Sequence, residues 1–235
     1  MAMNESARHV NLLHAFDQPR CPICTMVKRD MQQDMDTLML ERINKVETHY
    51  QFRAGRGLCN AHAWQIKTAK GGSLGIAVMY DSTLLQLLND AEQWDSGGGG
   101  LFSRQSAGER AATQLEPSGA CLLCASMNRS ERAYVAIVAQ NLHDDDLRAA
   151  YTASQGGVCL PHGRMVLQEL TTKPDVRAFL SLQVPKWRAL QADLQLFIQK
   201  NEDNIPQHDM GAEGDSWQRA IAYLSGDETV FGYRR

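Results

Sequence analysis

Cys21-Pro22-Ile23-Cys24, followed by Gly57-Leu58-Cys59-Asn60-Ala61-His62, decides how this chain folds, because the pair occurs twice. A shift of 100 positions gives Cys121-Leu122-Leu123-Cys124 and then Gly157-Val158-Cys159-Leu160-Pro161-His162. All 6 cysteines of the 235 residues fall in these two sets. Each set offers three sulfurs and one imidazole, in the order C-x-x-C, long insert, C-x-x-H. That is the number and kind of donors that close a tetrahedral metal site. The candidate ligands are Cys21, Cys24, Cys59 and His62 in the first repeat, and Cys121, Cys124, Cys159 and His162 in the second.

The insert constrains the chain between the motifs. Cys24 and Cys59 lie 35 residues apart, as do Cys124 and Cys159. One continuous helix would carry the later ligands ~50 Å from the earlier ones at its usual rise. For each C-x-x-C to meet its own C-x-x-H, the insert must double back, so the sequence predicts a helical hairpin. Val27, Met31, Met35 and Leu38 recur at helical spacing after the first motif, and Met127, Tyr134, Val135, Val138 and Leu142 after the second. Asn44 is the expected N-cap of the first return helix, and Asp144-Asp145-Asp146 caps the second. Gly55 and Gly57, then Gly156 and Gly157, mark the ends of those helices. A third helix follows each C-x-x-H. A fourth carries Ile76, Met79, Tyr80, Leu84, Leu87 and Leu88, matched by Val176, Phe179, Leu180, Val184 and Trp187, with Pro185 expected to kink or split the second copy.

The expected fold is all-α: two pseudo-symmetric helical repeats, each a hairpin plus following helices tied by a Cys3His site. The first repeat covers residues 1–95 and the second 119–200. Residues 96–118, with Gly97 to Gly100, read as a flexible linker. Residues 201–235 read as a polar segment and a C-terminal helix carrying Trp217, Ala220, Ile221, Tyr223 and Leu224. That helix either packs back on the bundle or binds a partner.

Composition narrows the function. Net charge is −3, without the basic field that nucleic acid requires. No apolar run reaches the ~20 residues of a membrane span, and Met1 to Arg20 has no signal-peptide core. The expectation is a cytoplasmic protein that binds neither nucleic acid nor membrane. In a reducing compartment, paired cysteines are metal ligands or redox groups before they are disulfides. A dithiol redox pair at Cys21 and Cys24 would leave the third cysteine and the histidine idle. The other histidines (His9, His14, His49, His143, His208) have no counterpart at the 100-residue offset.

Three thiolates and an imidazole suit Zn²⁺, and they also suit an iron–sulfur cluster with one histidine ligand. Two Zn²⁺ ions are the first expectation and two clusters the alternative. A site closed by four protein donors leaves no position for a substrate. Walker, dinucleotide, H-E-x-x-H and G-x-S-x-G motifs are missing. The sequence therefore points to a metal-bound helical scaffold that binds another protein rather than to an enzyme. The iron–sulfur alternative implies electron transfer, redox sensing or an accessory subunit. The clustered Met26, Met31, Met35 and Met39 read as core filling or as an adaptable contact surface.

The CPxC and GxCxxH motifs, with Asp215-Ser216-Trp217 near the C-terminus, resemble an uncharacterised family of bacterial helical proteins. The resemblance implies metal-binding motifs and no particular reaction.

Overall fold

The computed structural model describes residues 5–70, 72–93, 106–203, 206 and 209–231. Among these the chain is all-α, with eleven α-helices and no strand. The first five are α1 (Glu5–Ala15), α2 (Pro22–Thr37), α3 (Val46–Ala54), α4 (Asn60–Gln65) and α5 (Gly72–Glu92). The order then repeats as α6 (Ala107–Leu115), α7 (Leu122–Gln140), α8 (Asp145–Ala153), α9 (Leu160–Glu169) and α10 (Lys173–Glu202). The last helix is α11 (Ser216–Ser225). No described helix is long and apolar enough to cross a membrane.

Local chemistry sets these boundaries. Pro22 and Pro161 occupy first-turn positions, where a missing N–H costs nothing. α2 runs on as a π-helical turn, Leu38–Arg42. The cap of α3 is Lys45, whose side chain makes no capping bond, and not Asn44. Asp144 does cap α8, accepting from the Leu147 N–H at 2.9 Å. α8 ends at Ser154 rather than at a glycine. Pro185 does not split α10, which is helical over 30 residues. The carbonyl that loses its partner there belongs to Ser181, and both residues are exposed, so water can replace the bond.

Residues 96–105 of the expected linker lie outside the described residues. Residues 106–118 are not simply linker, because α6 lies within them. Its start is a full capping box: Ser106 Oγ accepts from the Glu109 N–H, and the Glu109 carboxylate accepts from the Ser106 N–H. α6 precedes Cys121 as α1 precedes Cys21, and each helix ends six residues before its cysteine.

The chain divides into two compact units that do not follow the expected boundaries. One joins Met1–Asp30 to Arg129–Arg235, and the other is Met31–Asn128. In the first, α1 packs on α8, and α11 packs on α9 and α10. Phe16 meets Tyr151 with ring centroids 5.1 Å apart, and Tyr151 meets Phe179 edge-on at 6.4 Å. All three rings are buried. The buried Asp30 carboxylate accepts from Ser130 Oγ and, at 3.0 Å, from Tyr134 Oη.

In the second unit, α5 packs on α3 and α6. Arg56 pairs with Asp90 at 2.6 Å and donates to the Gln114 carbonyl at 2.8 Å. The Gly119 N–H donates to the Ala54 carbonyl at 2.9 Å. The segment entering α7 is thereby pinned along the end of α3, beside Cys59. Met31, Met35 and Met39 here, and Met26 in the first unit, are all buried, so they fill core.

Candidate metal centres

All eight predicted ligands gather into two groups, but the pairing is exchanged. Cys21 and Cys24 meet Cys159 and His162, and Cys121 and Cys124 meet Cys59 and His62. In each group the donor atoms all lie within 4.8 Å of one another. The expectation that each repeat closes its own site is therefore corrected. Each C-x-x-C joins the C-x-x-H of the other repeat.

The physical reason lies upstream of each C-x-x-C. α1 packs on α8, so the chain after Phe16 emerges beside the loop that carries Cys159. The segment after α6 is held against Ala54 and delivers Cys121 beside Cys59. The helix breaks in both repeats, before α3 and before α8, yet neither break closes a site within one repeat. Sequence spacing alone treats the nearest motif in the chain as the partner, and nothing in the ligand order signals the exchange.

The C-x-x-H loops are prepared for their ligands. Gly157 has φ +67 and Gly57 has φ +94, in the left-handed region that favours glycine. A Cβ at Gly157 would lie 2.5 Å from the Tyr151 ring, and one at Gly57 would lie 3.2 Å from the Tyr80 ring. The next residue is anchored by its own N–H. Val158 donates to Tyr151 Oη at 3.3 Å and to Gln183 Oε1 at 3.2 Å. Leu58 donates to the Tyr80 hydroxyl. The two tyrosines come from non-equivalent helices, so position-by-position comparison of the repeats does not reveal them.

In the first group, His162 Nδ1 lies 3.5 Å from Cys21 Sγ, 3.4 Å from Cys24 Sγ and 3.3 Å from Cys159 Sγ. Cys24 and Cys159 sulfurs are 3.8 Å apart. In the second, His62 Nδ1 lies 3.2 Å from Cys59, 3.6 Å from Cys121 and 3.4 Å from Cys124, with Cys59 and Cys124 sulfurs 3.5 Å apart. A tetrahedron with metal–sulfur bonds of about 2.3 Å and metal–nitrogen bonds of about 2.0 Å has edges of about 3.5–3.8 Å. The observed separations lie close to those edges.

Within each group the neighbouring donors shift one another's proton affinities in opposite directions. Burial opposes ionisation of Cys21, but hydrogen bonds from Cys159, Cys24 and His162 hold it well below the usual thiol range. Its neighbours Cys159 and Cys21 push Cys24 up. Burial disfavours a charged His162, yet Cys159, Cys21 and Glu131 raise it to about 11. In the second group, hydrogen bonds from His62 and from backbone N–H groups, including Leu123 and Cys124 at the start of α7, bring Cys121 to about 6 against the effect of burial. Burial and the charge of Cys121 raise Cys124. Mutually repelling thiolates share protons when alone, and a dication removes the conflict.

Several residues around the first site carry no sequence signal. Glu131 is 2% exposed and takes a hydrogen bond from His162 Nε2 at 3.2 Å, which directs Nδ1 toward the sulfurs. The Asp227 N–H donates to Cys24 Sγ at 3.4 Å, while its carboxylate pairs with Arg20 at 2.6 Å and Lys28 at 3.2 Å. The Phe231 ring lies 4.7 Å from the His162 ring. At the position equivalent to Glu131 the first repeat has Met31. His9, His14, His49 and His143 belong to neither group, and His208 lies outside the described residues.

A family model described as "Family of unknown function (DUF6062)" matches residues 3–230. The chain belongs to this family. It is also similar to an "Uncharacterized 23.9 kDa protein in xynA 3'region" of Caldicellulosiruptor sp. (strain Rt8B.4). The two are 21% identical over 218 residues, which is 92% of this chain and 100% of the relative. No solved structure matches the chain significantly.

Proposed function

We propose that this protein is a helical scaffold whose two Cys3His sites each hold a structural Zn²⁺ and whose surface binds another protein. The observation that carries the metal reading is the tetrahedral spacing of four protein donors in each group. An iron–sulfur cluster puts irons and sulfides between its ligands, and donors this close leave little room for them. With every position taken by a side chain, each ion stabilises the fold and binds no substrate. The residues that would hold the ions are Cys21, Cys24, Cys159 and His162, and Cys59, His62, Cys121 and Cys124.

The interaction reading rests on exposed apolar side chains. Leu74, Leu84, Leu85 and Leu88 on α5 are more than half exposed. On α11 the apolar side faces outward: Ile221 and Leu224 are exposed together with Trp217, while Ser216, Arg219 and Tyr223 are buried. Contiguous exposed apolar surface marks interaction sites on soluble proteins.

Elemental analysis of aerobically purified protein tests the metal reading. The expected result is a colourless protein with about two zinc ions per chain. Iron with acid-labile sulfide and visible charge-transfer absorbance would contradict it.

A further inference from the structure

We propose that the Cys59–His62–Cys121–Cys124 site is an oxidation site for hydroperoxides, at which Cys59 and Cys124 form a disulfide and release the metal. The buried site keeps its ion. This inference rests on both groups holding a metal.

The two sites share a donor set and differ in cover. Cys21 is 4% exposed, and Cys24, Cys159 and His162 are 0% exposed. The C-terminal segment closes over that site. Gly226 has φ +83, and after it Asp227 hydrogen-bonds Cys24, Val230 is buried and Phe231 lies against His162. In the other site Cys59, Cys121 and Cys124 are all partly exposed, and only His62 is buried. Oxidants attack thiolates they can reach, so access separates two sites that share one donor set.

Cys59 and Cys124 are the reacting pair because their sulfurs are 3.5 Å apart and they come from different segments. One thiolate attacks a peroxide oxygen, the O–O bond breaks, and a sulfenic acid forms as hydroxide leaves. The second thiolate attacks that sulfur, the S–S bond forms, and a second hydroxide leaves. Both hydroxides take up protons. The sulfurs lose two electrons in all, and hydrogen peroxide becomes two waters. Cys121 and His62 alone then remain as ligands, too few to hold the ion.

The test uses the full-length, metal-loaded chain treated with hydrogen peroxide in the presence of a coloured chelating indicator. Half of the metal is expected to leave in a first phase roughly tenfold or more faster than the rest. Peptide mapping of that phase should find Cys59 joined to Cys124, with Cys21, Cys24 and Cys159 reduced. Phe231→Ala should speed the second phase and leave the first unchanged. Release of both ions in one phase, no release, or first oxidation among Cys21, Cys24 and Cys159 would overturn the proposal. Metal content is measured before oxidation. A chain isolated without metal overturns the metal reading and this inference together, whereas uniform release from a loaded chain overturns only the inference.

Discussion

Gly157 holds a backbone position that a side chain cannot share. Its φ is +67, and a Cβ there would meet both the Tyr151 ring and, at 2.8 Å, Gln183 Oε1. Gly157→Ala is expected to cost about 2–4 kcal/mol, combining left-handed strain with overpacking. Chemical denaturation of the metal-loaded protein measures this. Glu131 matters differently, because it accepts from His162 Nε2 and would act on a bound metal through that ring. Glu131→Ala should weaken the first site about 10–100-fold, the usual effect of removing a histidine's outer partner, and leave the second site unchanged. Chelator competition reads each affinity. Glycine at 57 and 157 was legible in the sequence as a loop residue. Glu131 was not, because a lone glutamate on a helix carries no sign of what its carboxylate will meet.

At the scale of elements, the end of α10 is tied to the chain leading into α11. Lys200 Nζ lies 2.5 Å from Glu213, and the Gly211 N–H donates to the same carboxylate at 2.8 Å. Lys200 and the backbone N–H groups lower the Glu213 pKa from 4.5 to about 2. A depressed carboxylate stabilises the fold above its ordinary value, and that stability fades as pH falls from 4.5 toward 2. The pH dependence of unfolding in this window should flatten in Glu213→Gln, and an unchanged slope would remove this tie from the account. The helices were largely legible because Met31, Met35 and Leu38, or Val135, Val138 and Leu142, repeat at helical spacing. Missed was α6, although Ser106 and Glu109 form a capping box. Its helix buries no side chain, so no apolar stripe marks it. The orientation of α11 was also hidden: its apolar residues point outward, while on the opposite face Arg219 pairs with Asp193 of α10 and Tyr223 is buried.

For the whole molecule, the proposed ions would make metal binding and folding one process. Each donor group joins segments far apart in sequence, Cys24 to Cys159 in one and Cys59 to Cys124 in the other. Closing such long loops is entropically costly, and each site can return on the order of 10 kcal/mol. Removing metal with a strong chelator should therefore lower Tm sharply and reduce helicity, both measurable by circular dichroism. The eight candidate donors, which gather into two groups, were legible because cysteine count, spacing and the 100-residue offset agree. Ligand pairing was not, because it depends on α1 packing on α8 and on Gly119 bonding Ala54, contacts that no local pattern announces.

The metal content of two double variants tests the exchanged pairing most directly. Cys24→Ser with Cys159→Ser should remove one site and leave about one ion per chain after dialysis against a moderate chelator, while Cys24→Ser with Cys59→Ser should damage both sites and leave almost none. The reverse result, one ion retained in the Cys24 and Cys59 variant and none in the Cys24 and Cys159 variant, would show that each repeat closes its own site and would contradict the structure's central feature.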